Sequence, residues 1–134
     1  MKYLLDVNVL VAWGWKDHAD HERVARWLAR ERGLRDTVFL SSPIPELGFV
    51  RVSVHQGAGT VSVKDACSAL EGMLAHLGKA HAFQNDDLSA TALPTWCTGA
   101  TRTTDAHLLA LADIHGAKLA TLDTAIPGAF LIPA

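Results

Sequence analysis

The sequence predicts an α/β fold, a three-layer sandwich in which a parallel sheet of about five strands is flanked by helices. Short apolar segments rich in β-branched residues alternate with longer segments that have the apolar spacing of amphipathic helices. This alternation favours parallel pairing, because each parallel connection needs a crossover and the crossover helices cover both faces of the sheet. The 134 residues contain no internal repeat and no Pro/Gly/Ser-rich linker, so we expect one domain over residues 1–134.

The first elements are a strand and two helices. Residues 2–6 (KYLLD) predict a short buried strand, and residues 8–15 predict the start of a helix with Asn8 as its cap. After the polar segment KDHAD, residues 21–33 have one apolar face and end in glycine, which predicts an amphipathic helix.

The middle of the chain predicts a strand followed by two helices. Residues 37–41 (TVFLS) have the β-branched and aromatic content of a strand. The prolines that follow suit the first turn of a helix over residues 42–55, although the alternation at 50–54 (VRVSV) also fits a strand. Residues 62–78 have helical apolar spacing and a terminal glycine.

The last third of the chain is the least regular. HAF (81–83) predicts a strand, and NDDLSATAL (85–93) is a candidate helix before Pro94. Residues 104–116 predict a helix, GAKLATLD (116–123) leads into a strand, and AFLIP (129–133) is a candidate for another.

Composition and charge exclude several classes of protein. The net charge of -2 and the pI of about 6.4 exclude a broad basic surface, so any polyanionic substrate must be held locally. Cys67 and Cys97 match no CxxC or zinc spacing, which suggests free buried thiols in a reducing cytosol. No apolar run reaches the ~18 residues of a membrane span. Asp6 interrupts the apolar region that a signal peptide would need, so we expect a cytoplasmic protein.

Four acidic residues fall at positions that a parallel sheet would bring together. Asp6 and Asp123 each end a predicted strand, and the carboxyl ends of parallel strands share the edge where open α/β sheets bind ligands. Asp105 begins a helix and continues its apolar stripe, so its carboxylate should face inward at that edge, and Glu46 could do likewise.

The combination of these acids predicts a metal site. Taken singly, Asp105 and Glu46 have an ordinary explanation as first-turn helix acids, and Asp123 as a turn residue. Together in one partly buried pocket, the carboxylates would repel one another unless a cation joined them. An oxygen-rich site suits Mg²⁺ or Mn²⁺ better than zinc. Asn8 could orient a ligand or a water there.

Four segments resemble, in order and spacing, the PIN-domain ribonucleases, and most closely the VapC toxins of type II toxin–antitoxin pairs: LLDVNVLVA (4–12), PIPE (43–46), TDAHLLALA (104–112) and GAKLATLD (116–123). DHADHERVARWL (17–28) also resembles that toxin group. The resemblance implies a PIN-like fold, with Asp6, Glu46, Asp105 and Asp123 as the catalytic and metal-binding acids and Asn8 as an accessory group. Within that set, Asp6 and Asp105 are our first choice as direct metal ligands. Thr104 stands where an apolar residue is common in the family, and we expect it to cap its helix.

The resemblance also implies an activity and partners. The activity would be Mg²⁺- or Mn²⁺-dependent hydrolysis of RNA phosphodiester bonds, with structured RNA such as tRNA among the candidate substrates. The partners would be a cognate antitoxin and a second copy of the chain in a homodimer. Candidate contacts to backbone phosphates are Arg51, Arg102 and Lys118.

Two other functions remain open from the residues. The first is an inactive PIN-like protein or RNA-binding module, in which Trp13, Trp15 and Trp27 form an apolar surface for a partner helix. The second is a phosphatase of the haloacid-dehalogenase type, because an apolar strand followed by Asp6 and Asn8 superficially resembles the Asp-x-acid motif of that class. Asn8 cannot donate a proton as the second acid does there. No histidine is assigned a catalytic role.

Overall fold

The fold is a parallel five-stranded sheet between helices, as the sequence predicts. The computed structural model describes residues 1–134. The strands are β1 (Lys2–Leu5), β2 (Val38–Ser41), β3 (His81–Phe83), β4 (Lys118–Thr121) and β5 (Phe130–Leu131). The helices are α1 (Val7–Gly14), α2 (His21–Arg32), α3 (Pro43–Gln56), α4 (Val63–Leu77) and α5 (Thr103–Ile114). Short 3₁₀ turns cover Gly78–Ala80, Ala90–Ala92 and Ala100–Arg102.

The strand order places the first strand at the centre of the sheet. The order is β3-β2-β1-β4-β5, and every neighbouring pair is parallel. Leu4 in β1 lies opposite Leu40 of β2 and Leu119 of β4. Because the three central strands run in the same direction, their carboxyl ends lie together at one edge.

The two faces of the sheet are covered by different helices, which confirms the three-layer arrangement. Alternate residues of β1 face opposite ways, so Tyr3 and Leu5 pack with residues of α1 to α4. Leu4 packs on the other face with Leu108 and Leu111 of α5. None of the helices combines the length and the apolar character that crossing a bilayer requires.

The tryptophans belong mainly to the core. Trp27 is 1% exposed and packs edge-on against Tyr3 at a ring-centroid distance of 5.0 Å. Trp13 and Trp15 are half-buried, and Trp15 Nε1 donates to Ser53 Oγ at 3.1 Å. The predicted partner surface of three tryptophans is therefore wrong for Trp27.

Two helix caps differ from the prediction. The N-cap of α1 is Asp6 and not Asn8, because the chain turns directly after β1 and the helix begins at Val7. Thr104 lies inside α5 and does not cap it, since that helix begins at Thr103.

Two further details differ, the segment 85–93 and the cysteines, whereas the helix predicted over residues 42–55 is confirmed through its ambiguous part. The segment 85–93 forms no α-helix, because the side chains of Asp86 and Ser89 accept hydrogen bonds from the nearby amides of Leu88 and Thr91 and so compete with helical pairing. The ambiguous residues 50–54 are helical throughout. Cys67 is exposed and Cys97 half-buried, so both are free thiols but neither is buried.

Candidate active site

Asp6 is held rigidly at the start of α1. It is 4% exposed, its Oδ1 accepts from the Val7 amide at 2.7 Å, and its Oδ2 accepts from Thr121 Oγ1 at 2.8 Å. The first bond caps the helix, and the second joins the end of β1 to the end of β4. A carboxylate can thus sit directly after a buried strand because both of its oxygens are hydrogen-bonded.

Thr121 is the centre of this network and was missed from the sequence. It is fully buried, and its hydroxyl accepts from Asn8 Nδ2 at 3.1 Å and from the Asp123 amide at 3.1 Å. Asn8 Oδ1 in turn accepts from the Leu122 amide at 3.1 Å. Asn8 therefore ties α1 to the end of β4, and its role in orienting a ligand stays a prediction. The one sequence signal for Thr121 is its position two residues before Asp123.

Asp105 and Asp123 lie side by side at the same edge. Asp105 is in the first turn of α5, and Asp123 follows β4, where its Oδ1 also accepts from the Ala125 amide at 2.8 Å. Nη1 of Arg102 donates to Asp105 Oδ2 at 3.3 Å and to Asp123 Oδ2 at 3.2 Å. One guanidinium group therefore bridges the two carboxylates.

The three aspartates form one electrostatic group. Burial raises the pKa of Asp6, hydrogen bonds from Thr121 and Val7 oppose that change, and the charges of Asp105 and Asp123 raise the pKa further. Burial likewise raises the pKa of Asp105, with a further contribution from Asp123 that Arg102 opposes. The sheet edge therefore concentrates negative charge that the protein only partly compensates.

Glu46 belongs to a separate hydrogen-bonded chain. Its Oε2 accepts from Ser41 Oγ at 2.6 Å, and Ser41 Oγ lies 2.8 Å from His81 Nε2. Because Ser41 gives its only proton to Glu46, His81 Nε2 must be the donor to Ser41. Burial lowers the pKa of His81, and the charge of Glu46 opposes that change. Glu46 thus lies near the end of β2 without a hydrogen bond to the aspartates.

An open cavity of about 360 Å³ lies beside the aspartates. Asp6, Asn8 and Asp105 line it on one side, and Arg51 and His18 also reach it. No catalytic role was expected for His18. Its Nδ1 accepts from the Asp20 amide at 3.0 Å, so its Nε2 carries the ring proton. The cavity therefore combines acidic and basic groups.

The oxygen donors of these residues suit a hard divalent cation, although the side chains are not positioned to chelate one in this structure. Carboxylate oxygens that repel one another are the donors that Mg²⁺ and Mn²⁺ prefer. The Arg102 guanidinium lies between Asp105 and Asp123 as a stand-in cation. No three His, Cys, Asp or Glu side chains converge closely enough in this structure to hold an ion.

Comparison with known proteins agrees with the fold. The family model for the PIN domain matches residues 3–129. Ribonuclease VapC39 of Mycobacterium tuberculosis is 35% identical over 94% of this chain and 91% of its own length. Ribonuclease VapC38 of the same organism is 36% identical over 92% of this chain and 86% of its own, and ribonuclease VapC44 is 37% identical over 96% and 94%. Since these matches run through nearly the whole chain, this protein belongs to the PIN domain family and, within it, to the VapC ribonucleases.

Proposed function

We propose that this protein is a metal-dependent endoribonuclease toxin that hydrolyses RNA phosphodiester bonds and is neutralised by a cognate antitoxin. One observation carries the proposal: three aspartates from distant parts of the chain meet at the carboxyl edge of the sheet and are electrostatically coupled. Such an arrangement destabilises the metal-free protein and is therefore hard to explain by folding alone.

The residues divide into ligands and supports. Asp6, Asp105 and Asp123 would hold Mg²⁺ or Mn²⁺, which supplies positive charge against the phosphate oxygens and makes water a better nucleophile. Thr121 fixes the orientation of Asp6 through its hydroxyl group. Glu46, held by Ser41, is proposed to act from the second side of the site, by placing an ion through water or by orienting the nucleophile.

Substrate recognition is proposed to rest on shape and on unstacked bases. A net charge of -2 gives little general affinity for nucleic acid, so contacts must be local. The cavity of about 360 Å³ places Arg51 and His18 near the acids, where they can meet a phosphate. A structured RNA with an exposed loop, such as a tRNA, fits these features because its loop bases can leave the stack.

The proposed partners are an antitoxin and a second copy of the chain. Trp13, Leu28 and His76 line a cavity of about 160 Å³ on the helical face, which suits an apolar side chain of an antitoxin segment. Exposed apolar side chains such as Leu47 and Ile114 support a homodimer. Light scattering after gel filtration measures the oligomeric state directly.

We further propose that residues 1–134 form a single domain and that the protein is located in the cytoplasm, where its RNA substrate would be.

An inactive RNA-binding module is the second candidate, and one observation favours it. Arg102 lies between Asp105 and Asp123, two of the proposed ligands. A permanent counter-ion in a site that no longer binds metal would lie there too. The haloacid-dehalogenase alternative has no such support, and the match of the PIN domain model to residues 3–129 removes it.

The decisive experiment compares wild type with Asp6→Ala and Asp105→Asn, using Asp87→Asn as the control because Asp87 is an exposed acid outside the hydrogen-bonded network of the three aspartates. Expression of wild type and of the control should arrest growth, and the purified proteins should cleave RNA in Mn²⁺ but not in EDTA. The two active-site variants should do neither. Equal toxicity of all four proteins would contradict the proposal, and a folded wild type that binds RNA without cleaving it would favour the inactive module.

A further inference from the structure

A cation of the chain itself already bridges two of the proposed metal ligands. Nη1 of Arg102 lies 3.3 Å from Asp105 Oδ2 and 3.2 Å from Asp123 Oδ2, so a single nitrogen contacts oxygens from two different parts of the fold. The side chain of Arg102 is 36% exposed, which leaves it free to move away into solvent.

The helix does not explain why Arg102 is there. Arg102 is the N-cap residue of α5 and makes no side-chain capping bond. The amino end of a helix carries partial positive charge and disfavours a cation. The two carboxylates are therefore what holds the guanidinium in place, and the guanidinium in turn offsets the repulsion between them.

We propose that Arg102 is a positioning residue that occupies the place of the divalent ion between Asp105 and Asp123 in the metal-free protein and competes with the ion for them. This inference rests on the proposed function, because it takes both carboxylates as metal ligands. The same Oδ2 atoms cannot face the guanidinium and a divalent ion closely without placing two cations side by side. Binding of the metal therefore requires the Arg102 side chain to move away. Arg102 thus lowers the affinity of the site for the divalent ion.

The test measures Mn²⁺ affinity by calorimetry and by the EPR signal of free Mn²⁺, with no RNA present. Arg102→Gln keeps a polar side chain but removes the charge, and Arg102→Lys keeps the charge. Arg51→Gln is the matched control, since Arg51 is exposed on α3, borders the same cavity and forms no ion pair. We expect Arg102→Gln to bind Mn²⁺ roughly fivefold to tenfold more tightly, as expected from the loss of two partly exposed ion pairs. Arg102→Lys and Arg51→Gln should stay within about twofold of wild type.

Two results would overturn the inference while leaving the proposed function intact. The first is wild type that binds Mn²⁺ and cuts RNA while Arg102→Gln binds Mn²⁺ no more tightly. The second is an equal gain in Arg51→Gln, which would show a general charge effect. If neither wild type nor Arg102→Gln binds Mn²⁺, the inference and the metal site both fail. Circular dichroism confirms that each variant is folded.

Discussion

Thr121 shows how one buried hydroxyl can organise a reactive edge. It donates to Asp6 and accepts from Asn8 and from the amide of Asp123, so both of its lone pairs and its proton are used. A hydroxyl group has one donor and two acceptor sites, which is what these three hydrogen bonds require. The same atom therefore contacts the carboxylate of Asp6 and the backbone of Asp123.

Thr121→Val keeps the shape of the side chain and removes the hydroxyl group. We expect a loss of about 1–3 kcal/mol in unfolding free energy, because Asn8 and the Asp123 amide lose their acceptor. Cleavage should fall by roughly 10- to 100-fold, as is usual when a group that orients a metal ligand is removed. Urea unfolding and single-turnover cleavage measure the two effects. Thr121→Ser is the control and should stay near wild type; an active Thr121→Val would contradict the orienting role.

The pH dependence of stability tests the electrostatic cost of the charged Asp105 side chain. Burial and the nearby Asp123 raise its pKa in the folded protein above the unfolded value, so its charged form is disfavoured by folding. Stability is then lost as the pH rises through the range between the two pKa values, and it is regained below that range. In EDTA at pH 7, Asp105→Asn should unfold at a temperature a few degrees higher than wild type, for a gain of up to about 1 kcal/mol.

The same comparison at lower pH supplies the control. The advantage of Asp105→Asn should shrink as the pH falls and Asp105 of wild type takes up its proton. Asp87→Asn, which changes an exposed acid, should show no such trend. A variant that is less stable than wild type at pH 7 would show that Arg102 more than offsets the cost of the charge.

The sequence predicts the acids better than it predicts their supports. Asp6, Asp105 and Asp123 could be placed at one edge because strand ends and helix starts are visible in the apolar pattern. Thr121 and Arg102 could not, since their roles depend on where side chains from residues far apart in the chain meet. The separate hydrogen-bonded chain of Glu46 through Ser41 to His81 was hidden for the same reason.

At the scale of the elements, α1 and α3 approach closely at the helix start that Asp6 caps. A Cβ added at Gly48 of α3 would lie 2.6 Å from Cγ2 of Val7, the first residue of α1. A methyl group cannot fit there unless the helices separate, and separation would move the helix start that Asp6 caps.

Gly48→Ala should therefore destabilise the protein by about 1–3 kcal/mol, although alanine favours helices. Gly72→Ala is the matched control on α4, where an added Cβ meets nothing within 4 Å. It should stabilise by up to about 1 kcal/mol. Chemical denaturation of both variants checks the difference, and an equally stabilised Gly48→Ala would show that the α1–α3 contact does not constrain the site.

Helices and strands were predicted correctly from the sequence where the local signals all favour the same structure. Gly78 follows the end of α4, as the sequence indicated, and a capping box formed by Ser62 and Asp65 starts the helix. The segment 85–93 failed because its Asp and Ser side chains bond to their own backbone. The alternation at 50–54 was ambiguous because helical packing of α3 against α1 can use the same valines that a strand would.

At the scale of the whole molecule, topology concentrates charge that the composition hides. The net charge is -2, yet the parallel sheet brings three aspartates from residues 6 to 123 to one edge. A crossover topology with β1 at the centre makes this possible, because β1 and β4 pair directly although they are distant in sequence. The fold therefore creates a local site for a cation, and through that cation for phosphate, on a weakly acidic protein.

The most direct test of the proposed metal site is the anomalous scattering from a crystal of the wild-type protein soaked in Mn²⁺. We predict a peak at the carboxyl edge within coordination distance of Asp6 and at least one of Asp105 and Asp123, with the Arg102 side chain turned away from its present position. A crystal with ordered Mn²⁺ elsewhere and none at this edge, or with Arg102 still bridging the two aspartates at saturating Mn²⁺, would contradict it.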